Sequence, residues 1–119
     1  MKKEWKIIFY EDEKGCPVKD FVLKLDAEEK KKIMTNIEYL EEVGFNLRRP
    51  QGDYLRDGIY ELRVTLSGNN TRTLYFFCYE TNIVLTHTFV KKHKKCQKKE
   101  IEKAIKCKEI FLQKYNKIA

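Results

Sequence analysis

Apolar and polar positions along the chain change period several times, and each change marks a new element. Trp5 to Tyr10 is a short run of bulky, aromatic and β-branched residues, which predicts a strand. Glu11 to Gly15 is polar and reads as a turn. Pro17 can open a helix, because the first turn has no use for its missing N–H. Val18, Phe21, Val22 and Leu25 then recur at helical spacing. Asp26 is a good N-cap for a second helix, and Glu29 stands three residues on, as a capping box requires. Ile33, Ile37, Leu40 and Val43 share one face of that helix, and Gly44 is placed to end it in a left-handed conformation.

Phe45 to Asp57 lacks a clear period and reads as a loop. From Ile59 to Leu66 the period becomes two: Tyr60, Leu62, Val64 and Leu66 fall on one side, Glu61, Arg63 and Thr65 on the other. Ser67-Gly68-Asn69-Asn70 has hairpin composition. Arg72 to Tyr79 and Asn82 to Val90 follow as strands, separated by a tight turn at Glu80-Thr81. Three sequential strands joined this way make an antiparallel meander. A last helix is predicted over 98–117, with Ile101, Ala104, Ile105, Phe111, Leu112 and Tyr115 as its stripe. The order β-α-α-β-β-β-α predicts an α+β fold: an antiparallel β-sheet with two N-terminal helices, paired as a hairpin, and a C-terminal helix.

Repeats, low-complexity linkers and Pro/Gly-rich boundaries are absent, so residues 1–119 read as a single domain. No apolar run approaches the roughly 20 residues of a membrane span. Ile7 to Tyr10 is too short for an export signal and runs into Glu11-Asp12-Glu13, so the cytoplasm is the expected compartment and no membrane is expected as a partner. Cys16, Cys78, Cys96 and Cys107 have no zinc or redox spacing. They read as free thiols, Cys78 in a strand core and the others partly exposed.

Charge adds a direction. The formal net charge is +7, a sign that suits nucleic acid or an acidic protein surface. The excess is concentrated late, in Lys91, Lys92, Lys94, Lys95, Lys98 and Lys99.

Candidate chemistry follows from side chains rather than from a catalytic motif. Glu61 and Arg63 project from one strand, Arg72 begins the next, and Lys91 and Lys92 leave the third, so a meander can gather them. Tyr75, Phe77 and Tyr79 are interleaved. Arginine forks clamp phosphates and aromatic faces stack on unpaired bases, which makes this strand pair a candidate single-stranded RNA platform. The plainer reading of each feature stands beside it. Aromatic strands are usually core, Glu61 can pair with Arg63 as a surface ion pair, and the lysine cluster can be a solvated loop. His87, among Ile83, Leu85 and Phe89, reads as an interior histidine before it reads as a catalyst. No metal cluster, Walker loop or Ser-His-Asp arrangement stands out, so neither metal nor cofactor is expected. An enzyme built from these residues works by positioning and charge stabilisation.

Four segments carry a resemblance. They are Leu55-Arg56-Asp57-Gly58-Ile59-Tyr60-Glu61-Leu62-Arg63-Val64, Thr71-Arg72-Thr73-Leu74-Tyr75-Phe76-Phe77, Ile83 to Lys92, and Glu100-Ile101-Glu102-Lys103-Ala104. In this order they resemble the RelE/ParE toxin superfamily, in its HigB-like, phage-related (Gp49-like) branch. The resemblance implies a RelE-like fold and a toxin of a type II toxin–antitoxin module. Its activity would be ribosome-dependent endoribonuclease cleavage of mRNA in the A site, by attack of the RNA 2′-hydroxyl. It implies a helix-turn-helix antitoxin of the HigA type as partner, with operator DNA reached only through that antitoxin. By position it implies Arg63, Arg72 and Lys91 as catalytic residues, and Glu61, Tyr75, Lys92, Lys94 and Lys95 as RNA contacts. Cys96-Gln97 stands where the family often shows Thr-Pro, so the last helix lacks its usual cap, at a cost of about 1 kcal/mol. Thr88 stands where glycine is common. The competing readings are a non-catalytic RNA- or ribosome-binding module and an antitoxin-binding, operon-regulating protein.

Overall fold

The computed structural model describes residues 4–92 and 98–118. Strand β1 (Lys6–Phe9) leads to helices α1 (Pro17–Leu23) and α2 (Ala27–Val43). A single 3₁₀ turn, Gly44–Asn46, follows. The chain then runs through β2 (Gly52–Arg56), β3 (Ile59–Leu66), β4 (Asn69–Cys78) and β5 (Asn82–Val90) into α3 (Lys98–Ile118). The five strands form one sheet in the order β1-β5-β4-β3-β2. The architecture is α+β, as the pattern predicts.

Local chemistry explains the helices. Pro17 occupies the first turn of α1. The Asp26 side chain accepts from the Glu29 N–H at 2.9 Å, and the Glu29 side chain answers the Asp26 N–H at 3.4 Å, so the capping box is complete. Gly44 ends α2 at φ 55°. A Cβ there would meet the Trp5 ring at 2.1 Å, so glycine is required by packing as well as by backbone.

The sheet departs from the sequence expectation in three ways. First, β1 pairs in parallel with β5, Ile7 opposite Ile83 and Phe9 opposite Leu85, so the sheet is mixed and the meander fills only β2 to β5. Second, the supposed loop contains β2. Asp57 (φ 52°) and Gly58 (φ 79°) form the two-residue turn that pairs Arg56 with Ile59. Third, β5 carries a bulge at Thr86: Tyr75 faces Leu85, yet Leu74 faces His87. The bulge sends His87 to the face opposite Ile83 and Leu85. Thr86 donates to the Leu74 carbonyl at 3.2 Å across the irregularity.

Each sheet face has its own core. Val18, Ile33, Ile37 and Leu40 from α1 and α2 pack with Leu62, Val64, Tyr75, Ile83 and Leu85. On the other face, Ile101, Ala104 and Cys107 of α3 pack with Ile59, Leu74, Phe76 and Val84. Cys16 and Cys107 are buried rather than partly exposed; with Cys78 they are free thiols. Cys96 lies outside the described residues. Among the described residues no helix is long and apolar enough to cross a membrane.

Candidate functional site

The α3 side of the sheet is apolar beneath the body of α3 and polar beyond its first turn. Strand register builds the polar end. Asp53, Glu61, Leu74 and His87 lie in one row across β2 to β5, and Arg63, Arg72 and Phe89 lie in the next. Directly opposed like charges on a sheet are unfavourable, and Arg63 stands opposite Arg72. Glu61 offsets this from the adjoining row. Its two oxygens stand 3.4 Å from Arg72 Nε and 3.8 Å from Arg63 Nε.

The two arginines differ in exposure. The Arg72 side chain is 6% exposed and that of Arg63 27%. Arg72 Nη1 donates to its neighbour's carbonyl, that of Thr71, at 2.9 Å. Among the described residues its Nε makes no hydrogen bond, and Glu61 Oε1, 3.4 Å away, meets it as an ion-pair partner alone. Burial lowers the Arg72 pKa, with Glu61 opposing that shift. Two guanidiniums against one carboxylate leave a net positive charge with an unused buried donor. That combination favours an anionic oxygen at the exposed edge of the pair.

Lys91 adjoins this end of the sheet. Its N–H bonds to the Asn70 carbonyl at 2.7 Å, carrying the ladder one step past β5. Strand alternation puts it on the side of Phe89 and Arg72. Lys92 is exposed and alternates to the other side. Lys94 and Lys95, expected as RNA contacts, lie outside the described residues, as do His93 and Gln97.

Two expectations need correcting. Tyr75 is 1% exposed and packs among Leu62, Ile83 and Leu85. It stacks on Tyr60 at 5.5 Å on the α1/α2 side, the face opposite Arg72. Burial drives its hydroxyl pKa up. It is a core residue with no ring face for a base. Glu61 is likewise buried, and its carboxylate holds the arginines rather than facing RNA.

The structure also adds residues that patterning alone missed. Asp53 enters through β2, opposite Glu61. The hydrogen bond from Arg49 keeps its carboxylate below the usual range, and the Arg63 charge acts in the same direction. Glu100, in the first turn of α3, stands 3.1 Å from His87 Nε2, and Thr86 Oγ1 lies 3.1 Å from Nδ1. Burial lowers the His87 pKa, partly offset by the Glu100 hydrogen bond. In its neutral form the ring donates to Glu100 and accepts from Thr86. It is an interior histidine stacked on Phe89 at 5.6 Å. The Asp57-Gly58 turn is the one local sign of β2, and nothing in the sequence pattern pairs Glu100 with His87.

Among the described residues no group of His, Cys, Asp and Glu side chains could hold a metal ion. The arrangement is suited to holding a phosphodiester between fixed cations. No curated protein matches the chain. The profile of the phage-derived, Gp49-like protein family (DUF891) matches residues 20–109. That span carries β2 to β5, most of α3 and every arginine of the site, so the chain belongs to the Gp49-like family, a toxin-like, RelE-type branch of the RelE/ParE-like superfamily.

Proposed function

We propose that this chain is a HigB-like toxin of a type II toxin–antitoxin module, acting in the cytoplasm as an endoribonuclease on mRNA in the ribosomal A site. The supporting observation is the Arg63–Glu61–Arg72 cluster, where two guanidiniums share one carboxylate at the end of the sheet beyond α3. Family membership supports the toxin reading.

In the proposed reaction the RNA 2′-oxygen attacks the adjacent phosphorus and the bond from phosphorus to the 5′-oxygen breaks. The products are a 2′,3′-cyclic phosphate and a 5′-hydroxyl; the 2′-hydroxyl loses its proton and the departing 5′-oxygen gains one. Arg63, the more exposed arginine, meets the phosphate. Arg72 supports the developing charge from beneath, with its free Nε donor turned to use. Lys91 clamps a flanking phosphate. Among the described residues no free base stands at the cluster, since Glu61 is engaged and His87 is turned to Glu100. Catalysis therefore rests on in-line positioning, worth several kcal/mol, and on preorganised charge. A ribosome that presents the nucleotide in line fits such an enzyme. A helix-turn-helix antitoxin of the HigA type neutralises it, and operator DNA is reached only through that antitoxin.

The test is primer extension on a reporter mRNA in a translating extract, with wild type and Arg72→Ala. New 5′ ends within codons, from wild type alone and only during translation, are the expected result. Intact mRNA with a folded wild-type protein overturns the nuclease reading and leaves a binding module.

A further inference from the structure

A cavity of about 410 Å³ lies between the β1–α1 connection and α3, and no residue of the arginine cluster lines it. Tyr10, Asp12, Lys14 and Pro17 stand on one side, and Lys103, Lys106, Cys107 and Ile110 on the other. The second group recurs at three and four residues, so it is one face of the helix. Both sides are held in place. Asp12 and Gly15 exchange backbone hydrogen bonds at 2.9 and 3.0 Å, which closes the turn. Cys107 belongs to the core that seats α3 on the sheet, and so does Tyr10. A preformed cavity of this volume is of small-molecule size.

Its side chains point to an anion. Tyr10 is 3% exposed, and its N–H donates to the Leu85 carbonyl at 2.9 Å, which fixes it at the end of β1. Among the described residues its hydroxyl completes no hydrogen bond. Burial first, then the charges of Cys107 and Asp12, push its pKa up to about 12. Asp12 is thus near enough to act on the hydroxyl without closing a bond to it, and its carboxylate already accepts from the Lys14 N–H at 2.9 Å. The hydroxyl keeps its proton at neutral pH and is a buried donor with no acceptor. Such a donor is costly to leave unpaired, and an acceptor that enters the cavity removes the cost. Around it, the ammoniums of Lys14, Lys103 and Lys106 are exposed and outnumber the one lining carboxylate. Among the described residues none of these lysines is held in an ion pair.

We propose that this cavity binds a small organic anion: its carboxylate or phosphate head meets Lys103 and Lys106 and accepts from the Tyr10 hydroxyl, while its body lies along Pro17 and Ile110. The site is separate from the arginine cluster, and the proposal does not rest on the RNA reading. Because the two walls come from the β1–α1 connection and from α3, an occupant ties α3 to the rest of the chain.

The experiment titrates the full chain with benzoate, phenyl phosphate and the neutral benzyl alcohol, read by backbone amide shifts and by thermal melts. At least one of the anions is expected to saturate shifts at the turn and along the lining face of α3, and to raise the melting temperature, since a ligand of the folded state stabilises it. Binding of only one of the two keeps the site and assigns its head group. Benzyl alcohol is expected to bind roughly ten-fold more weakly or less. Tyr10→Phe keeps the ring and removes the donor. It is expected to weaken the anion roughly ten-fold, the scale of a hydrogen bond to a charged group. The ligand-free variant should melt no lower than wild type, because the lost hydroxyl had no partner. Lys103→Gln combined with Lys106→Gln weakens the anion as well, and Arg63→Ala leaves it unchanged. Shifts centred on Arg63 and Arg72 or spread over the basic surface overturn the site, as does an affinity that Tyr10→Phe does not change. A ligand-free Tyr10→Phe that melts below wild type also overturns it, for the hydroxyl would then be satisfied within the chain.

Discussion

The two faces of the sheet bury themselves in different ways. Under α1 and α2 the surface from β5 across to β3 carries no charge and is mainly apolar, with Leu62, Val64, Tyr75, Ile83 and Leu85 in one cluster beside the buried Thr71 and Thr73. Under α3 the apolar part stops at Ile59 and Leu74: the row of Leu74 already holds Glu61 and His87, and the next holds Arg63 and Arg72. The first face contributes stability through area removed from water. The second gives up part of that contribution to keep cations at a fixed spacing, with like charges opposed. A residue's face therefore predicts what its loss does: stability on the first, chemistry on the second.

The largest expected effect is on the closed face. Tyr75→Ala should cost about 3–5 kcal/mol, the range for emptying an aromatic site in a core. A urea titration measures it. If stability held and RNA cleavage fell instead, Tyr75 would belong to the site and the division between the faces would fail. On the open face, Arg63→Ala should lower cleavage about 100-fold, the scale for one lost charge-stabilising donor. Stability should move by less than about 1 kcal/mol, since a partly exposed pair is worth little and the change also removes the like charge opposite Arg72. Primer extension and the same urea titration separate the two quantities. A destabilisation as large as that of Tyr75→Ala would make the arginine row structural.

Much of this division was legible in the sequence, and the failures are instructive. The two-residue turn at Ser67-Gly68 pairs Leu66 with Asn69, and counting back from it brings Arg63 opposite Arg72. The same count brings Tyr75 opposite Tyr60, on the apolar side of β3. Grouping Tyr75 and Phe77 with Arg72 ignored the odd offset between them. Asp57-Gly58 is a hairpin signal in its own right, but Gly52 and Asp53 are poor strand formers, so the edge strand β2 read as a loop and Asp53 was lost with it. The parallel pairing of β1 with β5 and the bulge at Thr86 depend on contacts between distant segments that local periodicity does not encode. The bulge alone decides that His87 meets Glu100 rather than the α1/α2 core.

The helices that cover the two faces are also secured differently, and this sharpens the contrast at smaller energies. Helix α2 is fixed at its start by the Asp26–Glu29 box. Asp26→Ala should cost about 1 kcal/mol, as a lower urea midpoint with cleavage unchanged in an extract. If cleavage fell along with the midpoint, the closed face would be coupled to the site, against the comparison.

Helix α3 is tied at its first turn by Glu100 to a buried histidine, and that tie depends on pH in a known direction. Burial holds the His87 pKa below its ordinary value of 6.5. Below that value the unfolded chain binds a proton that the folded chain resists, so the unfolded state carries more protons and folding weakens as pH falls. Stability from this group is complete above about pH 6.5 and declines beneath it. The effect should be the smallest of the four, because the Glu100 hydrogen bond favours the charged ring and offsets part of the burial. Urea midpoints at about pH 7.5 and about pH 5.5, for wild type and His87→Gln, isolate it: the wild-type midpoint should fall more on acidification. A wild-type midpoint that held or rose relative to His87→Gln would mean that the Glu100 partnership outweighs burial. His87 would then be a charged member of the open face, and the polar rows would extend from the arginines to the first turn of α3.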